Sequence, residues 1–174
     1  LTIGRTDGDM TYVKYKEQVF KVSSDVISFA NDSSYNIVSK LQALVDISEV
    51  KSVTVEYNGA EHTIDITHND SDMTFVLDGQ KVDTKTTQAI YKSIVSLAVD
   101  GVYKDETLGD TVMKIKYKGI KSSSDTEVEF KSIDDLYCAL IRNGKTEFTI
   151  KKSKLNEFMD LFNTYVENPE KQGD

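Results

Sequence analysis

The sequence has one cysteine, one proline and no tryptophan among its 174 residues. The single cysteine, Cys138, excludes a disulfide within the chain and any cysteine-rich metal site. One proline and nine glycines exclude a collagen-like or linker-like chain. No apolar run approaches the roughly 18 residues that a membrane helix needs. What is present is enough apolar material for a core, since hydrophobic residues make up 39% and include nine Tyr and seven Phe.

The net charge of the chain limits the classes of partner that we expect. Lys and Arg number 21 against 29 Asp and Glu, which gives a formal net charge of -8. A negative chain repels the phosphates of nucleic acid and the head groups of anionic membranes. We therefore expect no general affinity for nucleic acid, and contact with a membrane only through an anchor outside this chain.

The length is typical of one large domain or of two small ones that share a core. The sequence starts at Leu1 inside an apolar stretch, with no charged segment and no signal-like segment before it. We therefore expect a piece of a longer protein, in which any signal peptide, lipid anchor or membrane helix lies upstream. Because its first strand needs a neighbour, that strand's edge is expected to pair with upstream sequence or with a second copy.

Strand patterns dominate the first half of the chain. Alternating apolar residues predict strands at 10–16 and 19–23, and a Ser-Ser-Asp start predicts a helical turn at 24–30. Residues 37–44 are interpreted as a second short helix or a mixed segment. The clearest hairpin joins residues 52–57 to 61–68 through Asn58-Gly59, a pair suited to positive φ.

A strand at 73–77 then leads to the best helix, at about 84–99, with Asp83 as its cap and Gly101 as its stop. Four strands at 111–117, 127–130, 136–141 and 147–150 precede a final helix at 153–166. The predicted fold class is α+β, with mainly antiparallel sheet built from hairpins and covered by these two helices. The residues predicted to be mostly buried are Phe20, Val55, Ile64, Phe75, Ile90, Ile94, Leu97, Phe148, Leu155, Phe158 and Phe162.

The predicted domain organisation is one α+β domain over residues 1–166, followed by a polar tail at 167–174. An alternative within that domain is a pair of similar hairpin and helix subunits, at about 1–100 and 101–166. A weak internal echo between residues 15–29 and 141–159 favours this alternative, because each stretch is a hairpin that leads into a helix.

Two stretches, KSVTVEYNG at 51–59 and MTFVLDGQKVD at 73–83 before the best helix, give the chain its family resemblance. With LTIGR at 1–5, YVKY at 12–15 and VFKV at 19–22, their order resembles the bacterial domain-of-unknown-function family numbered 4340. The family often has Trp where this chain has Phe75, and both would fill the space between sheet and helix. The resemblance implies an extracytoplasmic part of a membrane-anchored envelope protein, in some relatives beside ABC transporter components. It implies no activity and no catalytic residue.

The histidines are the first candidates for a chemical site. His62 and His68 lie six residues apart on one strand, roughly 20 Å at 3.3 Å per residue, which is too far to share an ion. His68 with Asp70 and Asp72 could hold a metal, but the spacing does not match a calcium loop. The competing interpretation, which the pattern favours, is that both histidines mark the rims of a core strand.

Cysteine, carboxylates and lysines supply the remaining candidates. Cys138 is interpreted as a small buried residue, because no local pattern offers a base for a thiolate. A hydrolase remains the alternative to a binding module if carboxylates, for example Asp65 with Asp70 or Asp134 with Asp135, meet in the fold with raised pKa values. Two lysine groups indicate solvated faces and edge protection, or else a local anion-binding surface: Lys114, Lys116 and Lys118, and Lys145, Lys151, Lys152 and Lys154.

The sequence therefore predicts no catalytic, cofactor-binding or metal-binding residue. Its expected function is that of a non-enzymatic, extracytoplasmic interaction or scaffold module in a membrane-anchored bacterial envelope protein. The expected partner is another envelope protein, for example an ABC transporter component.

Overall fold

The computed structural model describes residues 2–31, 34–37, 39–69 and 72–167. These form two compact units, Leu1–Ser39 and Lys40–Asp174. The division falls after Ser39, whereas the predicted pair of subunits divides near residue 100. Leu1, Asp70 and residues 168–174 of the predicted polar tail lie outside the described residues.

The first unit is a three-stranded antiparallel meander. Strands β1 (Thr2–Asp7), β2 (Met10–Tyr15) and β3 (Gln18–Ser23) pair in chain order, and a 3₁₀ helix follows at Ser24–Asn31. The predicted meander and helical turn are thus confirmed. A one-turn helix, α1, occupies Ser34–Ile37. The segment predicted at 37–44 as a helix or a mixed segment is mixed, since Ile37 is the last residue of α1 and residues 39–44 form a turn and irregular chain.

Phe20 is a correction to the predicted core. It lies on β3 opposite Val13, yet Phe20 is 45% exposed while Val13 is 5% exposed. Val13 has a strand on each side, whereas Phe20 lies on a strand at the edge of this sheet. Alternation along a strand identifies the side chains that share a face, but it does not show how well that face is covered.

The described residues of the second unit form nine antiparallel strands and two α-helices, in agreement with the predicted α+β class. Its strands are β4 (Val50–Tyr57), β5 (Ala60–Asn69), β6 (Asp72–Leu77), β7 (Gln80–Val82), β8 (Gly101–Val102), β9 (Thr111–Gly119), β10 (Thr126–Ser132), β11 (Tyr137–Arg142) and β12 (Lys145–Lys151). They lie in the order β7-β6-β5-β4-β9-β10-β11-β12-β8. Short 3₁₀ turns at Ile47–Glu49 and Ser122–Ser124 precede β4 and β10.

Tight turns of one kind close the main hairpins. Asn58 and Gly59 have φ of 50° and 76°, which are the positive values that a two-residue hairpin turn requires. Asp78 with Gly79, and Asn143 with Gly144, repeat this conformation. The predicted Asn-Gly hairpin is confirmed, and β7, which the sequence pattern missed, follows the second of these turns.

Helix α2 spans Thr84–Val95 and begins as predicted. The Asp83 carboxylate accepts a hydrogen bond from the Thr86 amide at 2.9 Å. The helix ends four residues earlier than predicted, and Gly101 is not its stop but the first residue of β8. Leu97 and Val99 are buried in the irregular chain that follows. Their apolar pattern continues past the helix end, so periodicity alone placed the boundary too late.

Removing the cap of α2 should destabilise the protein measurably. We expect Asp83→Ala to lower the free energy of unfolding by about 1 kcal/mol, because the Thr86 amide then loses its acceptor. Chemical denaturation followed by circular dichroism measures the change. Asp83→Asn keeps a capping oxygen and is the matched control, with an expected loss of less than half as much. Equal losses in the two variants would contradict a capping role.

The core lies between the sheet and helices α2 and α3, the latter at Lys152–Glu167. The ten other residues predicted to be mostly buried are all buried. Tyr117, 1% exposed, lies among them and donates its hydroxyl to the Ala43 carbonyl at 2.7 Å. This bond fixes the segment before β4 against the core, and burial raises the pKa of the Tyr117 hydroxyl.

The nine-stranded sheet contains an internal repeat. Strands β4–β7 with α2, and β9–β12 with α3, are each four strands and a helix, and the two halves join through antiparallel β4 and β9. Val55 pairs with Ile115, and the flanking pairs, Thr54 with Lys116 and Glu56 with Lys114, are symmetric about them. The helices also match in spacing: Thr87, Ile90, Tyr91 and Ile94 are buried on α2, and Leu155, Phe158, Met159 and Phe162 on α3.

This repeat differs from the predicted echo. The strand in the first stretch, 15–29, leads into a 3₁₀ helix, whereas the strand in the second stretch, 141–159, leads into a 16-residue α-helix. The two stretches also belong to different sheets. The sequence pattern did not reveal this repeat, because matched core positions of the two halves hold different residues. For example, Phe75 pairs with Val82 in the first half, and Cys138 pairs with Ile150 at the matching positions of the second half.

Candidate functional site

The two faces of the nine-stranded sheet have different chemistry. One face holds the buried side chains of Met113, Ile115 and Tyr117 on β9. The alternate residues of β9 point to the opposite face, here called the outer face. This outer face carries Glu56 from β4, Lys114, Lys116 and Lys118 from β9, and Glu127, Glu129 and Lys131 from β10. The prediction that three lysines line one face of a strand is confirmed.

Carboxylates on neighbouring strands pair with these lysines. Lys114 Nζ lies 3.6 Å from Glu127 and 3.7 Å from Glu129, and Lys116 bonds Glu56. The bond from Lys116 lowers the pKa of Glu56, and that same bond raises the pKa of Lys116. Lys118 binds Asp125 at 3.0 Å. The face is therefore made of paired charges rather than of a field of one sign.

Edge protection is the wrong explanation for the β9 lysines. Strand β9 lies in the interior of the sheet, between β4 and β10. Strand order is a tertiary property, and the alternation of Lys with apolar residues looks the same on an edge strand and an inner strand. In this sheet the lysines bridge inner strands through cross-strand ion pairs.

The lysines of the final hairpin do not form one cluster. Lys145 lies at the Arg142 end of the hairpin and Lys151 at the Tyr137 end, so the two are roughly 20 Å apart at 3.4 Å per residue. Lys152 donates to the Ser132 hydroxyl at 2.8 Å, and Lys154 binds Asp100 at 2.8 Å. Residues adjacent in sequence around this hairpin thus face different neighbours.

The two histidines are held by separate partners. His62 Nδ1 lies 2.7 Å from Asp78 Oδ2, and His68 Nε2 lies 2.7 Å from the Val50 carbonyl oxygen. In the described part of the chain, no three His, Cys, Asp or Glu residues are grouped to hold a metal ion. Asp70, which the sequence places beside His68, lies outside that part.

His62 belongs to an aromatic cluster that the sequence analysis missed. Its ring centroid lies 5.9 Å from that of Tyr57 and 5.8 Å from that of Phe162 on α3. Tyr57 donates its hydroxyl to the side chain of Asn163, and burial raises the pKa of that hydroxyl. The cluster joins residues about a hundred positions apart, so no local motif could reveal it.

The carboxylates of the hydrolase alternative do not meet as a pair in the described part of the chain. Asp134 accepts hydrogen bonds from the Leu136 and Tyr137 amides at 2.8 and 2.7 Å, which lowers its pKa. Asp134 therefore caps a turn, and Asp135 beside it is exposed. Asp65 is also exposed, and its proposed partner, Asp70, lies outside the described residues.

A different pair of carboxylates lines a cavity of about 300 Å³ beside the β4–β5 turn. Glu56 and Glu61 face each other across the two strands, and Lys114 lines the same cavity. A general acid at neutral pH needs a raised pKa, whereas Lys116 lowers the pKa of Glu56. Glu56 and Glu61 flank the Asn58-Gly59 turn, so the predicted hairpin already places them opposite each other.

Cys138 is buried, as predicted. It is fully enclosed on β11, and this burial raises the pKa of its thiol. A thiol that stays protonated is a poor nucleophile. The interpretation of Cys138 as a small core residue agrees with this environment.

Searches against family models, curated proteins and solved structures give no match to this chain. The resemblance to the bacterial family numbered 4340 therefore stays a prediction. Within the described residues, no helix combines the length and the apolar character needed to cross a membrane.

Proposed function

We propose that this chain is a non-enzymatic interaction or scaffold module of a membrane-anchored bacterial envelope protein. Its partner would be another protein of the envelope, such as an ABC transporter component. The extracytoplasmic location, the anchor and the transporter come from the resemblance to the family numbered 4340. The interaction role is supported by the outer face of the nine-stranded sheet.

The outer face presents an ordered pattern of charges that a specific protein partner can match. Its charges are paired within the face, which weakens attraction for a polyanion such as nucleic acid or an anionic wall polymer. Alternating rows of Lys and Glu instead favour a partner with the complementary order of charges, because a misplaced partner would bring like charges together. Several of these groups stay accessible, since the Glu127 and Lys118 side chains are 48% and 57% exposed.

Two of the carboxylates are poorly suited to the general-acid role in the hydrolase alternative. Asp134 and Glu56 both have lowered pKa values, and each is committed to a hydrogen bond or an ion pair. Lowered values keep a carboxylate ionised at neutral pH, so neither group is suited to donate a proton in catalysis.

Site-specific photocrosslinking tests the proposal. A photoreactive residue replaces exposed Glu127 on the outer face, in the full-length parent protein and in the cells that encode it. The matched control replaces exposed Asp160 on the solvent side of α3. We expect a light-dependent adduct in the membrane fraction from position 127 and none from position 160.

Charge reversal separates a specific contact from random capture. In the variant that carries the photoreactive residue at position 127, Lys114→Glu places a negative charge beside Glu129 and reverses one charge of the outer face, so the adduct should fall at least about fivefold, equivalent to about 1 kcal/mol. Adducts of equal yield from positions 127 and 160, or none from either, would contradict the proposed surface.

A further inference from the structure

The two halves of the internal repeat end differently. At one end of the nine-stranded sheet, β12 pairs with β8 along the edge that faces away from β11. At the other end, the matching strand β7 is last in the order, and no further strand of the described chain pairs with it. The same structural position is therefore occupied in one half and open in the other.

Strand β8 shows how little chain this position needs. Its two residues pair with Phe148 and Thr149. The Asp100 amide donates to the Thr149 carbonyl at 2.7 Å, and the Tyr103 amide donates to the Glu147 carbonyl at 3.0 Å. Four consecutive residues in an extended conformation thus suffice to cover the edge.

The backbone of β7 is positioned to accept such a segment. The two-residue turn makes Leu77 and Gln80 a hydrogen-bonded pair, and pairing then alternates along the hairpin. The N–H and C=O of Lys81, which pairs with Val76, therefore point away from β6. Lys81 immediately precedes buried Val82, as Thr149 immediately precedes buried Ile150, so the two residues occupy matching positions.

The side chain of Lys81 restricts the partner. The strand register aligns one row of paired residues across the sheet: Lys81, Val76, Asp65, Ser52 and Lys118. Lys81 therefore lies on the outer face, as Lys118 does. A lysine on an edge disfavours indiscriminate pairing with other strands. An acidic residue directly opposite makes a favourable cross-strand pair, so the same lysine selects an acidic segment.

We propose that the outward backbone of β7 (Gln80–Val82), here called the β7 edge, binds an extended segment of the partner protein in antiparallel orientation. That segment places an acidic residue opposite Lys81. The inference rests on the proposed interaction function and adds to it a second surface, a backbone edge beside the charged outer face.

A peptide copied from the chain's own β8 region serves as the probe. It spans residues 98–106 with Gly101→Glu, because Gly101 is the residue that lies opposite Thr149. Amide hydrogen exchange of the whole chain is followed by nuclear magnetic resonance. With the peptide at about twice its dissociation constant, exchange at the Lys81 amide should slow about threefold. The unsubstituted peptide should bind at least about threefold more weakly, since it lacks the charge opposite Lys81.

Two substitutions at Lys81 separate the backbone contribution from that of the charge. Lys81→Pro removes the outward N–H while leaving the pairs of Gln80 and Val82 with β6, and it should abolish binding. Lys81→Ala keeps the N–H, so both peptides should bind it with equal affinity. Thermal unfolding of each variant verifies that the hairpin remains folded.

Three results would overturn the β7 edge. They are an unchanged Lys81 amide at millimolar peptide, unchanged binding to a folded Lys81→Pro variant, and faster exchange at the Tyr103 amide, which would mean that the peptide displaces β8. The crosslinking at position 127 is independent of these results. An adduct at position 127 without slower exchange at the Lys81 amide would contradict binding at the β7 edge and leave the proposed interaction function intact.

Discussion

Replacing Phe162 with alanine should lower the free energy of unfolding by about 3 to 5 kcal/mol. The Phe162 side chain is fully buried, and its ring lies against Tyr57, His62 and Phe158 at centroid distances of 6.0, 5.8 and 5.6 Å. Truncation removes the apolar contacts between α3 and the sheet and leaves a cavity that these rigid rings cannot close. Chemical denaturation gives the free energy, and the thermal midpoint should fall with it.

The neighbouring residue provides a matched control. Leu161 is on the same helix but is 41% exposed, so Leu161→Ala should cost less than about 1 kcal/mol. The two substitutions change helix propensity in the same direction, which leaves burial as the main difference between them. Losses of similar size would mean that Phe162 does not hold α3 to the sheet.

Replacing Asp100 with alanine should lower the free energy of unfolding by about 2 to 3 kcal/mol at neutral pH. Its side chain is 19% exposed. The carboxylate accepts hydrogen bonds from the Lys154 ammonium at 2.8 Å and from the Lys151 amide at 2.9 Å. Asp100 thereby ties the segment before β8 to the end of β12 and the start of α3. Exposed Asp110, which directly precedes β9, is the control, with an expected loss within about 0.5 kcal/mol for Asp110→Ala.

The loss caused by Asp100→Ala should depend on pH. Burial alone would raise the pKa of Asp100, but Lys154 and the Lys151 amide outweigh burial and lower it. The carboxylate therefore contributes its full stability above the pKa of an unfolded Asp, about 3.9, and this contribution is lost as the pH falls through the lower folded pKa. The difference between the native chain and Asp100→Ala should shrink below about pH 4. A difference that stays constant from pH 7 to pH 3 would show that the charge of Asp100 is not what stabilises this segment.

Local signals predicted most of the secondary structure. The Asn58-Gly59 turn and the alternation on either side of it give β4 and β5 directly, because turn geometry and strand period both act over a few residues. The spacing from Ile90 to Ile94 gives the buried stripe of α2, and Asp83 gives its start. These features depend on neighbours within one turn or one hairpin, which are the distances that a sequence pattern records.

Strand order and surface pairing could not be predicted in this way. Lys116 meets Glu56 because β9 lies beside β4, although the two residues are far apart in the chain. The cluster of His62 with Phe162 has the same cause. For Phe20 the strand and the alternation were predicted correctly, but the burial was not. Burial depends on what lies over the sheet, which alternation does not record. The outer face and the β7 edge required the order of strands, which alternation does not encode.

The register of β4 and β9 relates the two halves of the sheet by an approximate two-fold axis. Two copies of one unit of four strands and a helix, paired through their first strands about a two-fold axis, would place residue 55 opposite its own counterpart, as Val55 lies opposite Ile115. That arrangement has the geometry of the self-complementary interface of a homodimer, here within one polypeptide. Within one polypeptide the two halves need not be identical: Tyr57 bonds Asn163, whereas Tyr117, at the matching position, bonds the carbonyl of Ala43. A strand can cover one end of such a sheet while the other end stays open, which a dimer of identical subunits would not allow.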